Sequence, residues 1–145
     1  MSIKRHNPGP VLSRAVEHGG LVYVAGTTAD NRSAPCKTQT EEILKKIDAA
    51  LAAAGSDKSK LLWANVWLTD IREKEQMDAA WKAWVDPDNK PVRACVEARL
   101  ATPDIRVEGF YERFPAKGQI ERVTRLHRDL AKMAGIEVQA RRGAA

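Results

Sequence analysis

The chain has 145 residues, of which 43% are hydrophobic and 30% charged, and this composition is typical of one globular domain. No apolar run approaches the roughly 18 residues of a transmembrane helix, and the first ten residues lack the apolar segment of a signal peptide. We therefore expect a cytoplasmic protein without membrane contact. Two cysteines, Cys36 and Cys95, are too few for a disulfide framework. The three histidines lack the spacing of metal ligands, so we expect no bound metal.

The positive charge of the chain is concentrated near its C-terminus. The net charge is +5, but residues 1–108 contain sixteen basic and fifteen acidic side chains, whereas residues 109–145 contain eight and four. Because residues 1–108 are nearly neutral, nucleic-acid binding by this part of the chain is unfavourable. The difference in charge indicates that residues 109–145 form a tail with a role of its own.

The first predicted elements are the two strands of a hairpin. Residues 6–10, HNPGP, are typical of a turn. A strand through Val16 follows, the His-Gly-Gly sequence at 18–20 supplies the positive φ that a tight turn needs, and a second strand covers 21–25.

A helix is predicted after a polar loop over 27–37. Thr38 and Glu41 match a capping box, and Gly55 is a natural helix stop. Between them, apolar residues recur at helical spacing at Ile43, Leu44, Ile47, Ala50, Leu51 and Ala54. We expect this stripe to pack against a sheet.

Residues 62–69 alternate as a strand. We expect the core face to consist of Leu62, Ala64, Val66 and Leu68, and the opposite face of Trp63, Asn65, Trp67 and Thr69. A monomer does not normally leave two tryptophans in water. Either the tail or a loop covers them, or they lie in a subunit interface, which the enrichment of aromatic residues at interfaces favours.

The second predicted helix begins after Asp70, a suitable N-cap with Glu73 three residues on, and ends at the Asp-Pro pair at 86–87. Its apolar positions are spaced for one buried face and are Met77, Ala80, Trp81, Trp84 and Val85.

A strand over 92–100 comes next. We expect its core face to contain Val92, Ala94, Val96, Ala98 and Leu100, and its helix-free face Arg93, Cys95, Glu97 and Arg99. Residues 102–104 form a turn before a last strand, which begins over 105–108 and can continue to 111. The order β-β-α-β-α-β-β predicts an α+β fold with a mixed sheet and both helices on one face.

The tail is predicted to form a basic extension, residues 112–145, behind a domain of residues 1–111. Apolar residues at helical spacing favour a helix over 119–134, with Arg122 and Arg125 among the charges on its polar side. Such a stripe is usually a solvated face, and contact with nucleic acid or an acidic partner is the less favoured alternative.

Arg93 is the candidate binding residue. From the pattern alone, the favoured interpretation is a surface arginine paired with a carboxylate. The alternative is a guanidinium fork for a carboxylate ligand, with backbone groups near Cys95 to orient it and Glu108 to transfer a proton. Together these groups would be sufficient to hydrolyse a small acid.

The segment that contains these residues, VRACVEARLATPDIRVE at 92–108, resembles the signature of the RidA/YjgF family. These proteins are reactive-intermediate (enamine/imine) deaminases, and an older label for the family is endoribonuclease L-PSP or translation inhibitor. GGLVYVAG at 19–26, KIDAALAAAGSDKSKLLWANVWLTD at 46–70 and MDAAWKAWVDP at 77–87 agree in the same order. The resemblance covers roughly residues 10–108.

The resemblance implies a chorismate-mutase-like protomer and a homotrimer with pockets at its subunit interfaces. It implies hydrolysis of 2-aminoacrylate-type enamines and their imine tautomers to 2-oxo acids and ammonia, without a cofactor. In that pattern Arg93 holds the substrate carboxylate, backbone groups of Cys95 contact the imine or the product carbonyl, and Glu108 positions and activates the attacking water.

Three positions at the rim of the implied pocket depart from the well-studied deaminases. Leu12 stands in place of a tyrosine, Ala25 in place of a serine and Asp78 in place of an asparagine, and these differences bear on the substrate. Gly109 replaces an aliphatic residue, and the tail beyond it has no counterpart in the family.

Two functions of other classes remain as alternatives. A non-catalytic binder of small carboxylic metabolites would need only Arg93. An RNA-directed protein would act through the basic tail.

Overall fold

The computed structural model describes residues 2–113, and they form one six-stranded sheet with two helices. The strands are β1 (Lys4–Pro8), β2 (Ser13–His18), β3 (Leu21–Thr27), β4 (Leu61–Leu68), β5 (Val92–Glu97) and β6 (Val107–Arg113). The helices are α1 (Cys36–Ala53) and α2 (Lys74–Trp84). The strand order is β1-β2-β3-β6-β4-β5, in which β4 and β5 are parallel and every other pair is antiparallel.

The α+β fold with a mixed sheet is confirmed, but the predicted element order lacks a strand. Residues 4–8 form β1, which pairs with β2, whereas the sequence predicts a turn over 6–10. The turn-like composition affects the backbone at one residue only, Asn7, which has a φ of 46° inside the strand. Pairing with β2, for example His6 with Ala15, is a tertiary contact that the residues 6–10 do not encode by themselves.

The start of α1 also differs from the prediction. The helix begins at Cys36 with Pro35 as its N-cap and no side-chain cap hydrogen bond, so the capping box of Thr38 and Glu41 is wrong. The first turn is instead anchored by Gln39, which is fully buried. Its Nε2 donates to backbone carbonyls in two loops, and its Oε1 accepts from a backbone N–H just before β6.

The predicted end of α1 is confirmed. Gly55 has a φ of 68°, and its N–H donates to the Ala52 carbonyl at 2.9 Å. The N–H of Ser56 donates to the Leu51 carbonyl, also at 2.9 Å. These two bonds form a Schellman motif, in which glycine adopts the left-handed conformation without strain.

The helices cover one face of the sheet. The two helices pack on each other, and α1 packs on β2, β3 and β6. The buried core includes Val22 and Val24 of β3 and the predicted positions Ala64, Val66 and Leu68 of β4. Leu62 is 36% exposed and is not a core residue. The register between β4 and β6 shifts between Leu61 and Trp63, so Leu61 takes the buried position instead.

Asp70 caps a single 3-10 turn, Ile71–Glu73, that leads into α2, and its side chain accepts from the backbone N–H of Arg72 at 2.9 Å. The predicted buried face of α2 is present, with Met77, Ala80 and Trp81 buried and Trp84 packed at its margin.

The faces of β5 are the reverse of those predicted. Parallel pairing aligns Ala64 with Arg93 and Val66 with Cys95, so Arg93 and Cys95 lie on the helix side of the sheet. The alternate residues of β5, among them Val92 and Val96, lie on the helix-free face, where these two are 65% and 49% exposed. The rule that apolar residues point inward fails here, because the helix-free face of this edge strand is itself apolar.

The strand β5 also ends at Glu97 rather than at residue 100, and the predicted turn over 102–104 follows it. The strand β6 continues to the last described residue, so the predicted helix over 119–134 lies outside the described residues.

None of the helices within residues 2–113 has the length and apolar character that crossing a membrane requires.

Candidate active site

Arg93 lies on the edge strand β5 and points toward α2. Its Nη2 donates to Asp78 Oδ1 at 2.6 Å, and its guanidinium carbon is 5.0 Å from the centre of the Trp81 ring. Its Nη1 faces the Met77 sulfur at 3.6 Å, which is a weak acceptor. The ion pair and the cation–π contact hold the guanidinium in one orientation, while Nη1 keeps hydrogen-bonding capacity for a ligand.

Asp78 is shared between two cations. Its Oδ2 accepts from Lys74 Nζ at 2.5 Å, one helical turn earlier on α2. Burial alone would raise the pKa of the Asp78 carboxyl, but the hydrogen bonds from Lys74 and Arg93 outweigh burial and lower it. Asp78 is therefore ionised at neutral pH, and the cluster of the three side chains carries a net charge of about +1.

Burial raises the pKa of both cysteine thiols. Cys95 is half-buried two residues after Arg93, and burial raises the pKa of its thiol despite the nearby positive charges. Burial, together with the Glu73 carboxylate, raises the pKa of Cys36 to about 11. Neither group is a thiolate at neutral pH, which argues against cysteine nucleophilic catalysis. Near Arg93, Cys95 therefore offers backbone groups rather than a nucleophile.

Glu108 lies on the opposite face of the sheet from Arg93. It pairs with Trp67 across β4 and β6, and its neighbour Val107 points into the core. A β-bulge in β3, between Val24 and Thr27, brings Gly26 against the Glu108 carboxylate. A Cβ atom at Gly26 would be only 2.6 Å from Glu108 Oε1, so the absence of a side chain there creates the space that the carboxylate occupies.

The predicted site residues therefore form two groups. Arg93, Cys95 and Asp78 meet beside α2, whereas Ala25 lies on the bulge next to the position of Glu108. Leu12 is 50% exposed in the loop between β1 and β2. The expectation that Arg93 shares the helix-free face with the tryptophans is wrong, because its alignment with Ala64 sets the opposite orientation.

The helix-free face exposes large apolar side chains on β4 and β5, with the polar Asn65 between the two tryptophans of β4. Trp63 is 46% exposed and lies beside Val92 in the register, and the half-buried Trp67 lies beside Val96. We call Trp63, Trp67, Val92 and Val96 the apolar strip. Aromatic side chains bury roughly 150 to 250 Å² each when covered, so this strip is suited to association.

Sequence reasoning missed two residues of the site. Lys74 was not considered, although its spacing of four from Asp78 on a helix is a signal for an ion pair. Gly26 has no local sequence signal for this role, and only the structure around β3 shows that it accommodates Glu108. A cleft of about 310 Å³ between the sheet and α1, lined by Arg14, Asp30 and Lys46 among others, contains none of the predicted site residues. Within residues 2–113, no three His, Cys, Asp or Glu side chains cluster closely enough to bind a metal ion.

Comparison with known proteins identifies the family. The family model described as Endoribonuclease L-PSP matches residues 4–108. The chain belongs to this family, the RidA/YjgF family. Its relatives include a RutC family protein of Haemophilus ducreyi, 40% identical over 97 residues that span 67% of this chain and 83% of the relative. The RutC family protein YoaB of Escherichia coli is 37% identical over 108 residues, 74% of this chain and 94% of the relative.

Solved structures agree with the fold of the chain. NMB1025 of Neisseria meningitidis, a member of the YjgF protein family, superimposes with a TM-score of 0.77 at 37% identity and covers 81% of this chain and 98% of its own. Rv2704 of Mycobacterium tuberculosis, described as a member of the YjgF/YER057c/UK114 family, has a TM-score of 0.71 at 28% identity, with 78% of this chain and 99% of its own covered. The predicted family and fold are thus confirmed, while the names of these relatives state a family and not a reaction.

Proposed function

We propose that the protein hydrolyses small 2-imino acids, and the enamines that tautomerise to them, to 2-oxo acids and ammonia. The proposal rests on the fixed orientation and the remaining hydrogen-bonding capacity of the Arg93 guanidinium. Its guanidinium is fixed by Asp78 and Trp81 but still offers Nη1 to a ligand. An oriented guanidinium is suited to a planar carboxylate, and hydrogen bonds to charged groups contribute about 1.5 to 3 kcal/mol.

In the proposed reaction, water adds to the carbon of the protonated C=N bond and forms a C–O bond. Glu108 accepts a proton from that water as it attacks. Glu108 then returns this proton to the nitrogen, the C–N bond breaks so that ammonia leaves, and the hydroxyl group loses its proton to solvent as the C=O bond of the 2-oxo acid forms. Backbone groups of Cys95, beside Arg93 on β5, are suited to orient the reacting group. No oxidant or reductant is required, because hydrolysis changes no oxidation state.

The position of Glu108 fits this role. Its carboxylate is half-buried over the Gly26 bulge, where the backbone constrains it. A positioned acid–base group of this kind contributes typically about 10²- to 10⁴-fold to a rate.

We propose further that each pocket is shared between copies of the chain in a homotrimer. Arg93 and Glu108 lie on opposite faces of one sheet, so one substrate molecule reaches both only if they come from different copies. The apolar strip supports the same conclusion, since a closed ring of subunits would bury it.

A second candidate is a non-catalytic binder of small carboxylic acids. The separation of Arg93 from Glu108 within one chain favours it, because binding at Arg93 alone needs neither Glu108 nor a second copy.

The deciding experiment measures ammonia and 2-oxo acid release from freshly generated 2-iminopropionate. The wild-type chain is compared with Arg93→Ala and Glu108→Gln, and the uncatalysed rate is subtracted. The deaminase predicts that Arg93→Ala raises KM, and that Glu108→Gln lowers kcat by about 10²- to 10⁴-fold, because glutamine keeps the shape but accepts no proton. A wild-type rate equal to the uncatalysed rate, with binding of a carboxylate retained, would favour the binder.

A further inference from the structure

Two cations, Arg93 and Lys74, flank the single carboxylate of Asp78. Asp78 and Arg93 are each 18% exposed at the side chain, whereas Lys74 is 45% exposed. Asp78 accepts from Arg93 through Oδ1 and from Lys74 through Oδ2, so one carboxyl group bridges the two cations.

The charges of Arg93, Asp78 and Lys74 leave a positive centre beyond Arg93. Asp78 offsets one of the two positive charges, so the cluster keeps a net charge of about +1. Because Lys74 is the more exposed of the two cations, positive charge extends from Arg93 toward solvent.

Both cations keep donors that Asp78 does not use. An ammonium group has three N–H donors, and the contact with Asp78 occupies one of those of Lys74. Arg93 retains Nη1, which lies 3.6 Å from the Met77 sulfur, a weak acceptor. A ligand with two carboxylates can therefore engage both cations without displacing Asp78.

From this arrangement we propose that Lys74 is a specificity-determining residue that binds a second carboxylate on the substrate, so that the preferred substrates are dicarboxylic 2-imino acids. The inference rests on the proposed function in one respect, namely that Arg93 binds the first carboxylate. Asp78 then has a positioning role, because it holds the two cations at a fixed separation.

A purely structural role for Lys74 makes a different prediction. Ion pairs between residues four apart on a helix contribute little to stability. Lys37 and Glu41 form such a pair on α1 at 3.8 Å, with side chains that are 55% and 47% exposed. If Lys74 did no more than this, its removal would change ligands with one and two carboxylates equally.

The test is calorimetric titration of the full-length protein at low ionic strength with propionate and with succinate, which are unreactive probes. The variants are Lys74→Gln, the charge-conserving Lys74→Arg, and Lys82→Gln as a matched control for an exposed lysine on the same helix. We expect the wild-type chain to bind succinate more tightly than propionate. Lys74→Gln should weaken succinate binding about fivefold, the upper range for a partly exposed ion pair, and leave propionate unchanged. Lys74→Arg should keep the preference, and Lys82→Gln should have no effect.

Equal affinity of the wild-type chain for the two acids, or an equal loss of both in Lys74→Gln, would overturn the specificity proposal. In those cases turnover of 2-iminopropionate, measured separately, decides the proposed function independently. If neither acid binds, Arg93 is not a carboxylate anchor, and both proposals are wrong. Thermal unfolding of each variant confirms that the comparison is between folded proteins.

Discussion

Replacement of Gly26 by alanine should impair catalysis while leaving the fold intact. The new Cβ would lie 2.6 Å from Glu108 Oε1, which is much closer than the roughly 3.5 Å of an ordinary contact, so the carboxylate must move by about 1 Å. Because Oε1 is the end of a flexible side chain, this movement costs little. Gly26 does not have a positive φ, and alanine restricts the unfolded chain, so the net change in stability should stay within about 1 kcal/mol.

Activity should respond far more than stability. A misplacement of about 1 Å at a reacting group costs on the order of 10²-fold in rate, and we expect kcat for 2-iminopropionate to fall by that factor. Gly9→Ala is the matched control, because its Cβ would meet only the Leu12 carbonyl oxygen at 3.4 Å. Adding Glu108→Asp to Gly26→Ala should recover part of the loss, since the shorter side chain relieves the overlap. Full activity in Gly26→Ala would refute the assignment of Glu108 as a group that must occupy this position.

Other consequences concern binding, assembly, acid stability and thiol reactivity. Arg93→Lys should raise KM nearly as much as Arg93→Ala, because one ammonium cannot replace a planar fork; an unchanged KM would remove Arg93 as the anchor. Val96→Lys should dissociate the assembly without unfolding the chain, as measured by light scattering and circular dichroism, because this side chain is 49% exposed on a single chain. Since the folded-state pKa of Asp78 is lowered from 3.8, its stabilising contribution is present above that pH and is lost as the pH falls through the lowered value. The stability difference between wild type and Asp78→Asn in chemical denaturation should therefore shrink in acid. Cys36, with a pKa of about 11, should resist alkylation at pH 8 in the folded protein and react after unfolding in urea.

Local signals in the sequence predict those features that depend on neighbouring residues along the chain. The end of α1 at Gly55, the buried stripe of α2 and the turn over 102–104 follow from spacing and backbone preference. The start of α1 does not, because buried Gln39 anchors it to loops far away in the sequence.

The orientation of β5 could not be obtained from its own alternation. The apolar side chains of this edge strand lie on its helix-free face, and only the register with β4 places Arg93 on the helix side. The same register separates Arg93 from Glu108. The motif implies that these two residues act together at a subunit interface, but the motif itself does not show that they lie on opposite faces of one sheet.

Mixing two variants is the most direct test of a deaminase site that is shared between copies. Arg93→Ala and Glu108→Gln are each expected to be nearly inactive as pure proteins. After joint unfolding and refolding in equal amounts, about one quarter of the interfaces in a cyclic trimer should pair an intact Arg93 with an intact Glu108 from the neighbouring copy. We therefore expect ammonia release at about one quarter of the rate of wild-type protein refolded in the same way. If the mixture stays as inactive as its components while refolded wild type is active, Arg93 and Glu108 do not act across a subunit interface, and the account is contradicted.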